Sequence, residues 1–288
     1  WTEFISIFAA PARIDAGMSR LRFGQWERSD TVFFDAIELV RADPIYMRKD
    51  GFTLGEGERI AGHTYTFTAP YYGESRNQAR PLVRHQGTFN TLRWIFPGTD
   101  EVVYRHEVGR RQTEASVTAG TCWYKGGEVV VEAGRDGEVW QEIGAIHEKA
   151  SRTFALPESL FPAETVWIRL RPRPDGELPD GVNPGSMQID AYGYRATLEG
   201  APVYLNGATR FAAVKTADPR FEVRLTNFGE CVPGGDNAFE ADILNTGNET
   251  IAARSTLTFA GPGAEPEENA VDVAIKPGRQ TIRLPYRA

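Results

Sequence analysis

Alternation of apolar and polar residues with period two runs through most of the chain. Leu21 and Phe23 alternate with Arg20 and Arg22, and Val166, Ile168 and Leu170 alternate with Trp167 and Arg169. Phe221, Val223 and Leu225 alternate with Glu222 and Arg224, and Val271, Val273 and Ile275 follow the same rule. Each run predicts a strand with one buried face. Glycine and proline interrupt the runs about every ten residues, the rhythm of a sandwich or barrel. No long amphipathic helix is predicted, only one helical turn in Pro157–Glu164. The plainest hairpin is Glu128–Trp140: Val129, Val131 and Ala133 share a face, and Asp136-Gly137 tolerates positive φ. Trp140 opens the return strand and is expected in the core, as is Trp94. Trp123 and Tyr124 are consecutive, so one of them must leave the core face.

Two stretches break the apolar pattern in the same way. Thr31–Val40 and Gly185–Tyr194 each place Asp-Ala inside a strand, at Asp35-Ala36 and Asp190-Ala191. Each follows a strand, a Pro-Ala pair and an arginine-bearing strand, so the two read as copies of one closing unit. The expected organisation is therefore residues 1–42 as the closing strands of an incomplete domain, 43–200 as a complete sandwich, and 201–288 as a further sandwich. In the last region Pro233-Gly234-Gly235 and Asn245-Thr246-Gly247-Asn248 read as turns, and 260–269 as a loop. The chain opens at Trp1 in the middle of a pattern, so a piece of something longer is expected.

Composition narrows the classes. The 288 residues carry a formal net charge of −7, and the arginines are scattered along strands. That argues against nucleic acid as a partner. No apolar run is long enough for a membrane-spanning helix. The two cysteines, Cys122 and Cys231, show no zinc or redox spacing. His63, His85, His106 and His147 have no metal-ligand spacing, and no nucleophile elbow or phosphate loop occurs.

The residues around Asp35, with Trp1–Phe4 and the Pro-Ala strand before it, look like the last strands of jelly-roll carbohydrate-binding modules. The segment Trp123-Tyr124-Lys125-Gly126-Gly127 with its Asp-Gly-Trp hairpin resembles discoidin-like, galactose-binding sandwiches. The region after Glu199 resembles immunoglobulin-like spacer domains of secreted bacterial enzymes. The resemblance implies a secreted or cell-surface setting, with other domains of the same parent chain as neighbours. It also implies a structural calcium at Asp35 and at Asp190, the latter with Glu56 and Glu58. A hard cation takes such oxygens. The alternative for Asp190 is a solvent-facing side chain or one that caps a β-bulge.

Sugar binding needs exposed aromatic faces beside amide, carboxylate or guanidinium groups. The stretch Ala69–Asn90 supplies Tyr71, Tyr72, Arg76, Asn77, Gln78, Arg80, Arg84 and His85. Trp167, flanked by Arg169 and Arg171, is a second candidate platform. The bland alternative is a solvated connection anchored by one tyrosine. The whole reads as an all-β chain of tandem sandwiches, jelly-roll or galactose-binding-like and then immunoglobulin-like. Its expected role is non-catalytic recognition of a polysaccharide or other glycan. One rival is a stalk that only sets distance. The other is a hydrolase or lyase, which would bring two carboxylates, or a His and a Tyr, together in a cleft.

Overall fold

The computed structural model describes residues 7–10, 36–37, 39–72, 77–90, 92–96, 100–124, 126–174, 187–212, 218–229, 236–259 and 267–287. Among these the structure is built of strands, with one 3₁₀ turn at Glu158–Leu160 where a helical turn is predicted. In chain order the strands are β1 (Asp43–Lys49), β2 (Phe52–Leu54), β3 (Glu58–Gly62), β4 (Thr64–Thr68), β5 (Leu82–His85), β6 (Thr88–Asn90) and β7 (Arg93–Ile95). The long β8 (Val102–Tyr124) follows, then β9 (Glu128–Gly134), β10 (Gln141–Ile146), β11 (Ser151–Ala155), β12 (Ala163–Arg173) and β13 (Met187–Leu198). The last are β14 (Val203–Asn206), β15 (Thr209–Ala212), β16 (Phe221–Asn227), β17 (Asp236–Asn245), β18 (Ile251–Phe259), β19 (Glu267–Ile275) and β20 (Gly278–Arg287). The strand at 19–23, the repeat copy around Asp35, the Pro233-Gly234-Gly235 turn and most of the 260–269 loop lie outside the described residues.

The chain forms two compact units. One takes residues 54–208 together with 1–36; the other takes 37–53 and 209–288. The expected start of the middle sandwich at 43 thus moves to Leu54. The reason is strand pairing: β1 runs antiparallel to β15, with Asp43 opposite Ala212 and Tyr46 opposite Thr209. A partner so distant in sequence leaves no local signal.

In the first unit β8 belongs to two layers. Its first half pairs with β12 and β5, and its second half with β13 and β11. Two ring stacks show that it turns back on itself. Tyr104 stacks on Tyr192 with centroids 3.8 Å apart, yet the partner of Tyr192 on β8 is Ala119. A straight strand would hold Tyr104 and Ala119 about 50 Å apart. His106 stacks likewise on Tyr194, 3.8 Å away and 4° from parallel. The reversal lies near Gly109 (φ 75°), where the β8–β12 register shifts. Left-handed backbone there suits glycine. The layer of β5, β8, β12, β9 and β10 therefore faces the layer of β11, β8, β13, β4, β3 and β14.

Alternation explains what lies between the layers. Val166, Ile168 and Leu170 are fully buried, as predicted. Tyr65 and Phe67 from β4 and Tyr192 and Tyr194 from β13 point inward from the other layer. The β9–β10 hairpin forms as expected, with Asp136 accepting hydrogen bonds from the backbone of Glu138 and Val139. Trp140 differs from expectation: it is half-buried on the outer face, with the Arg169 guanidinium 4.6 Å from its ring. Trp94 is fully buried, whereas Trp123 is the member of its pair that leaves the core.

The second unit has a three-stranded sheet β16-β17-β20, the pair β18-β19 and the sheet β15-β1-β2. Phe239 and Leu284 pack with Phe228, Val271, Val273 and Ile282. The predicted turn after Ile243 is held by Asn245, which donates to the Glu249 and Ile275 carbonyls and accepts from Gly247 N–H.

At the centre of the first unit Glu58 is buried and bidentate with Arg80, at 2.7 and 2.5 Å. Glu58 also accepts from Gly55 N–H and from the Tyr65 hydroxyl. Breaking such a pair strands a charge, so Glu58→Gln or Arg80→Met should cost about 3–5 kcal/mol in urea unfolding. Burial, then the Arg80 charge, hold His106 well below its ordinary range, and burial lowers His85. The unfolded chain then takes up these protons first, near pH 6.5. The contribution of these histidines to stability should be level above about pH 7.5 and fall below about pH 6.5, by up to about 1.4 kcal/mol per pH unit from His106 and by less from His85. Urea unfolding at pH 7.5 and 5.5 measures this; equal stability would refute it.

Candidate functional site

The stretch expected to bind ligand divides into inward and outward members. Tyr71 is 2% exposed, and its hydroxyl shares a 2.6 Å hydrogen bond with that of Tyr104. It cannot offer a face to ligand, which corrects its place among the candidates. Tyr72, the next residue, is 70% exposed. Asn77 is also buried: its amide accepts from Ala9 N–H and donates to Ala9 C=O, pinning the 7–10 segment. Arg80 is committed to Glu58 and to the Glu107 carbonyl. Arg76 lies outside the described residues. Gln78 is half-buried.

Arg84 and His85 are taken up elsewhere. Arg84 pairs with Glu101 at 2.7 Å, and Glu101 also meets Arg169. His85 is half-buried beside Trp94, ring centroids 5.3 Å apart. Trp167 does stand on the outer face, as its alternation predicts, but it is half-buried. A Cβ at Gly137 would meet its ring at 2.8 Å, so the β9–β10 turn covers it, and Arg105 lies 5.6 Å from its centroid. The outer face around it is an ion lattice in which Glu132 receives both Arg169 and Arg171. Trp167 is therefore a supported part of this face, without a free ring surface on the side of the turn.

The metal candidates also separate. Glu58 is filled by four hydrogen bonds, two of them from one guanidinium, and this corrects its expected role as a calcium ligand. Glu56 sits in the turn before β3, half-buried. Asp35 lies outside the described residues. Among the described residues no three His, Cys, Asp or Glu side chains gather.

Asp190 instead meets Tyr72. The Tyr72 hydroxyl donates to Asp190 Oδ2 at 3.2 Å. Local register explains how Asp190 reaches it. On β13, Gln188 pairs with Trp123, Ile189 with Thr121, and Ala191 with Gly120. Cys122 is thus an extra residue on β8, and Asp190 an extra residue on β13. Two opposed bulges turn both side chains to one place. A Cβ at Gly120 would already touch that of Ala191 at 3.0 Å and come within 3.7 Å of Asp190 Oδ1. Glycine there leaves the carboxylate its room.

Charges act together at this spot. Loss of hydration and then the Asp190 carboxylate raise the Tyr72 hydroxyl above the ordinary phenol range, while Arg93 opposes them. Burial and then Asp190 raise the Cys122 thiol, again against Arg93. Arg93 keeps its Nε buried without a hydrogen bond. The site is therefore an exposed ring from the turn after β4, a carboxylate from the bulge in β13 and a guanidinium from β7. Such a set can pack against one face of a small ring and exchange hydrogen bonds with its hydroxyls.

Tyr72 and Asp190 were legible in the sequence, though as members of different sites. Arg93 and Cys122 were not, since nothing local distinguishes them. His106 was missed as well, and its signal was available: Tyr104, His106 and Val108 alternate on one face of a strand. The structure does bring a His and tyrosines together there, but fully buried. His106 Nδ1 lies 3.3 Å from the Tyr65 hydroxyl and Nε2 2.8 Å from that of Tyr192.

No protein-family model matches the sequence, and no curated protein matches it. Among solved structures, part of the chain is similar to the exo-chitosanase CsxA of Amycolatopsis orientalis, with 12% identity and a TM-score of 0.23. The match covers 66% of this chain and 21% of that one, so it spans about a fifth of the enzyme's length. A likeness this slight says nothing of what the chain binds.

Proposed function

We propose that this region recognises a glycan without cleaving it, at Tyr72, Asp190 and Arg93, as part of a larger secreted or cell-surface protein. The observation that carries the reading is Tyr72: an exposed aromatic ring tied by its hydroxyl to a strand carboxylate. A pyranose would lay its C–H face on the ring. Asp190 would accept from its hydroxyls and Arg93 would donate to them. Sites of this kind on a rigid sandwich suit reversible binding.

The burial of His106 favours recognition over a lyase reaction at that histidine. A general base must come within hydrogen-bond reach of the proton it takes. The His–Tyr group lies between the layers, where both nitrogens are already bonded to tyrosines.

Affinity gels with a panel of soluble polysaccharides test the reading, alongside assays for released sugar. Retardation by at least one polysaccharide without product is expected. Tyr72→Ala should weaken that binding roughly tenfold or more, a loss of about 1.4 kcal/mol. The same change should leave stability within about 0.5 kcal/mol, because the ring is exposed. Tyr71→Phe should behave in the opposite sense, losing about 1–3 kcal/mol of stability because the buried Tyr104 hydroxyl loses its Tyr71 partner. Undiminished binding by Tyr72→Ala would sink the site. No retardation by any polysaccharide would favour the stalk, and released sugar would favour the enzyme.

A further inference from the structure

The two members of the surface pair are each anchored by an inward neighbour. Tyr71 precedes Tyr72, and its hydroxyl is bonded to Tyr104. Tyr192 follows two residues after Asp190; its ring stacks on Tyr104 and its hydroxyl meets His106 Nε2. The backbone joins the two segments again, since Ala69 N–H donates to Tyr192 C=O. Tyr72 and Asp190 are thus placed by one buried group of side chains.

Proton counting fixes the state of that group. The Glu58 carboxylate receives two bonds from Arg80, one from Gly55 N–H and one from Tyr65. Tyr65 has a single hydroxyl proton and gives it to Glu58. Toward His106 it can only accept, so Nδ1 must carry the ring proton. Nε2 is then bare and accepts from the Tyr192 hydroxyl. The titratable groups facing the imidazole are Tyr65, Tyr104, Tyr192 and Tyr194, with Glu58 and Arg80 behind Tyr65, and Phe67 adds an apolar ring.

We propose that His106, fixed as the Nδ1–H tautomer, is a positioning residue for the Tyr72–Asp190 pair, and that a proton added at Nε2 releases the pair. The added proton makes Nε2 a donor. Tyr192 must then turn its own proton away, and it makes no other side-chain hydrogen bond among the described residues. A buried hydroxyl left so is costly, and the strand shifts to relieve it. Tyr192 carries Asp190 with it, and the stack on Tyr104 carries Tyr71. Burial and the Arg80 charge oppose this protonation, so release belongs to acid solution. The inference concerns the regulation of the site proposed above, but its readout uses no glycan.

Ring ¹⁵N spectra of the full chain test the tautomer. A pyrrole-type Nδ1 and a pyridine-type Nε2 are expected for His106 at neutral pH, persisting below the ordinary histidine range near pH 6.5. The reverse assignment would overturn the proposal. Coupling to the surface is read from ¹³Cζ-labelled tyrosine in Asp190→Asn, which keeps an acceptor oxygen at that position without a titrating carboxylate. The Tyr72 signal, assigned by its loss in Tyr72→Phe, should move in the same acid step as the His106 nitrogens. Adding His106→Gln, whose amide can serve both tyrosines without titrating, should abolish that step. A Tyr72 signal that stays still while His106 titrates overturns the coupling, as does a step that survives in His106→Gln. Should His106→Gln not fold, the coincidence of the two steps still decides. If no glycan binds and the steps coincide, the proposed function fails and the coupling stands.

Discussion

The reversal of β8 is the constraint on which the first unit depends. One strand serves two layers, so those layers cannot slide independently. The reversal is held shut by the Tyr104–Tyr192 and His106–Tyr194 stacks, both with centroids 3.8 Å apart. Aromatic pairs contribute about 0.5–1.5 kcal/mol each beyond the area they bury. The polar edges of these rings need partners once buried, and each has one. Tyr194 donates to Gln112, which donates in turn to the His106 carbonyl. The core is therefore apolar toward β12, and aromatic and hydrogen-bonded toward β3 and β4.

Period-two logic made the strands readable, and it failed where a choice had to be made in space. Val166 to Leu170 could be assigned to faces from the sequence because the alternation is unbroken. Tyr71 and Tyr72 are consecutive, so one faces in and the other out. Which one is decided by Tyr104, 33 residues away. Glu58 and Arg80 were both singled out by their chemistry, one as a metal ligand and the other for sugar. Neither reading saw that they neutralise each other, because joining them requires the topology of β3 and β8. The β1–β15 pairing was hidden for the same reason.

The carboxylate inside β13 shows the reverse case, where a break in the pattern was the signal. Asp190 interrupts an apolar strand because it is an added residue, opposed by Cys122 on β8. A capped bulge was the plainer alternative in the sequence, and the register shift puts Asp190 at such a bulge. The carboxylate takes its hydrogen bond from a side chain, Tyr72, and so the bulge becomes part of a surface.

That bulge also decides which residues of β13 reach the core. Without it, Ile189 and Tyr192 would lie on opposite faces, since faces alternate strictly along a regular strand. With it, both are buried and Asp190 stays outside. The Tyr192–His106 bond fixes the same choice from within, because a slip by one residue would bury Asp190 and expose Tyr192. Core and surface are thus specified by one register, read twice: once by a buried histidine and once by an exposed tyrosine. A strand without either contact could shift at little cost. With both, the position of the carboxylate is set by the packing of the interior.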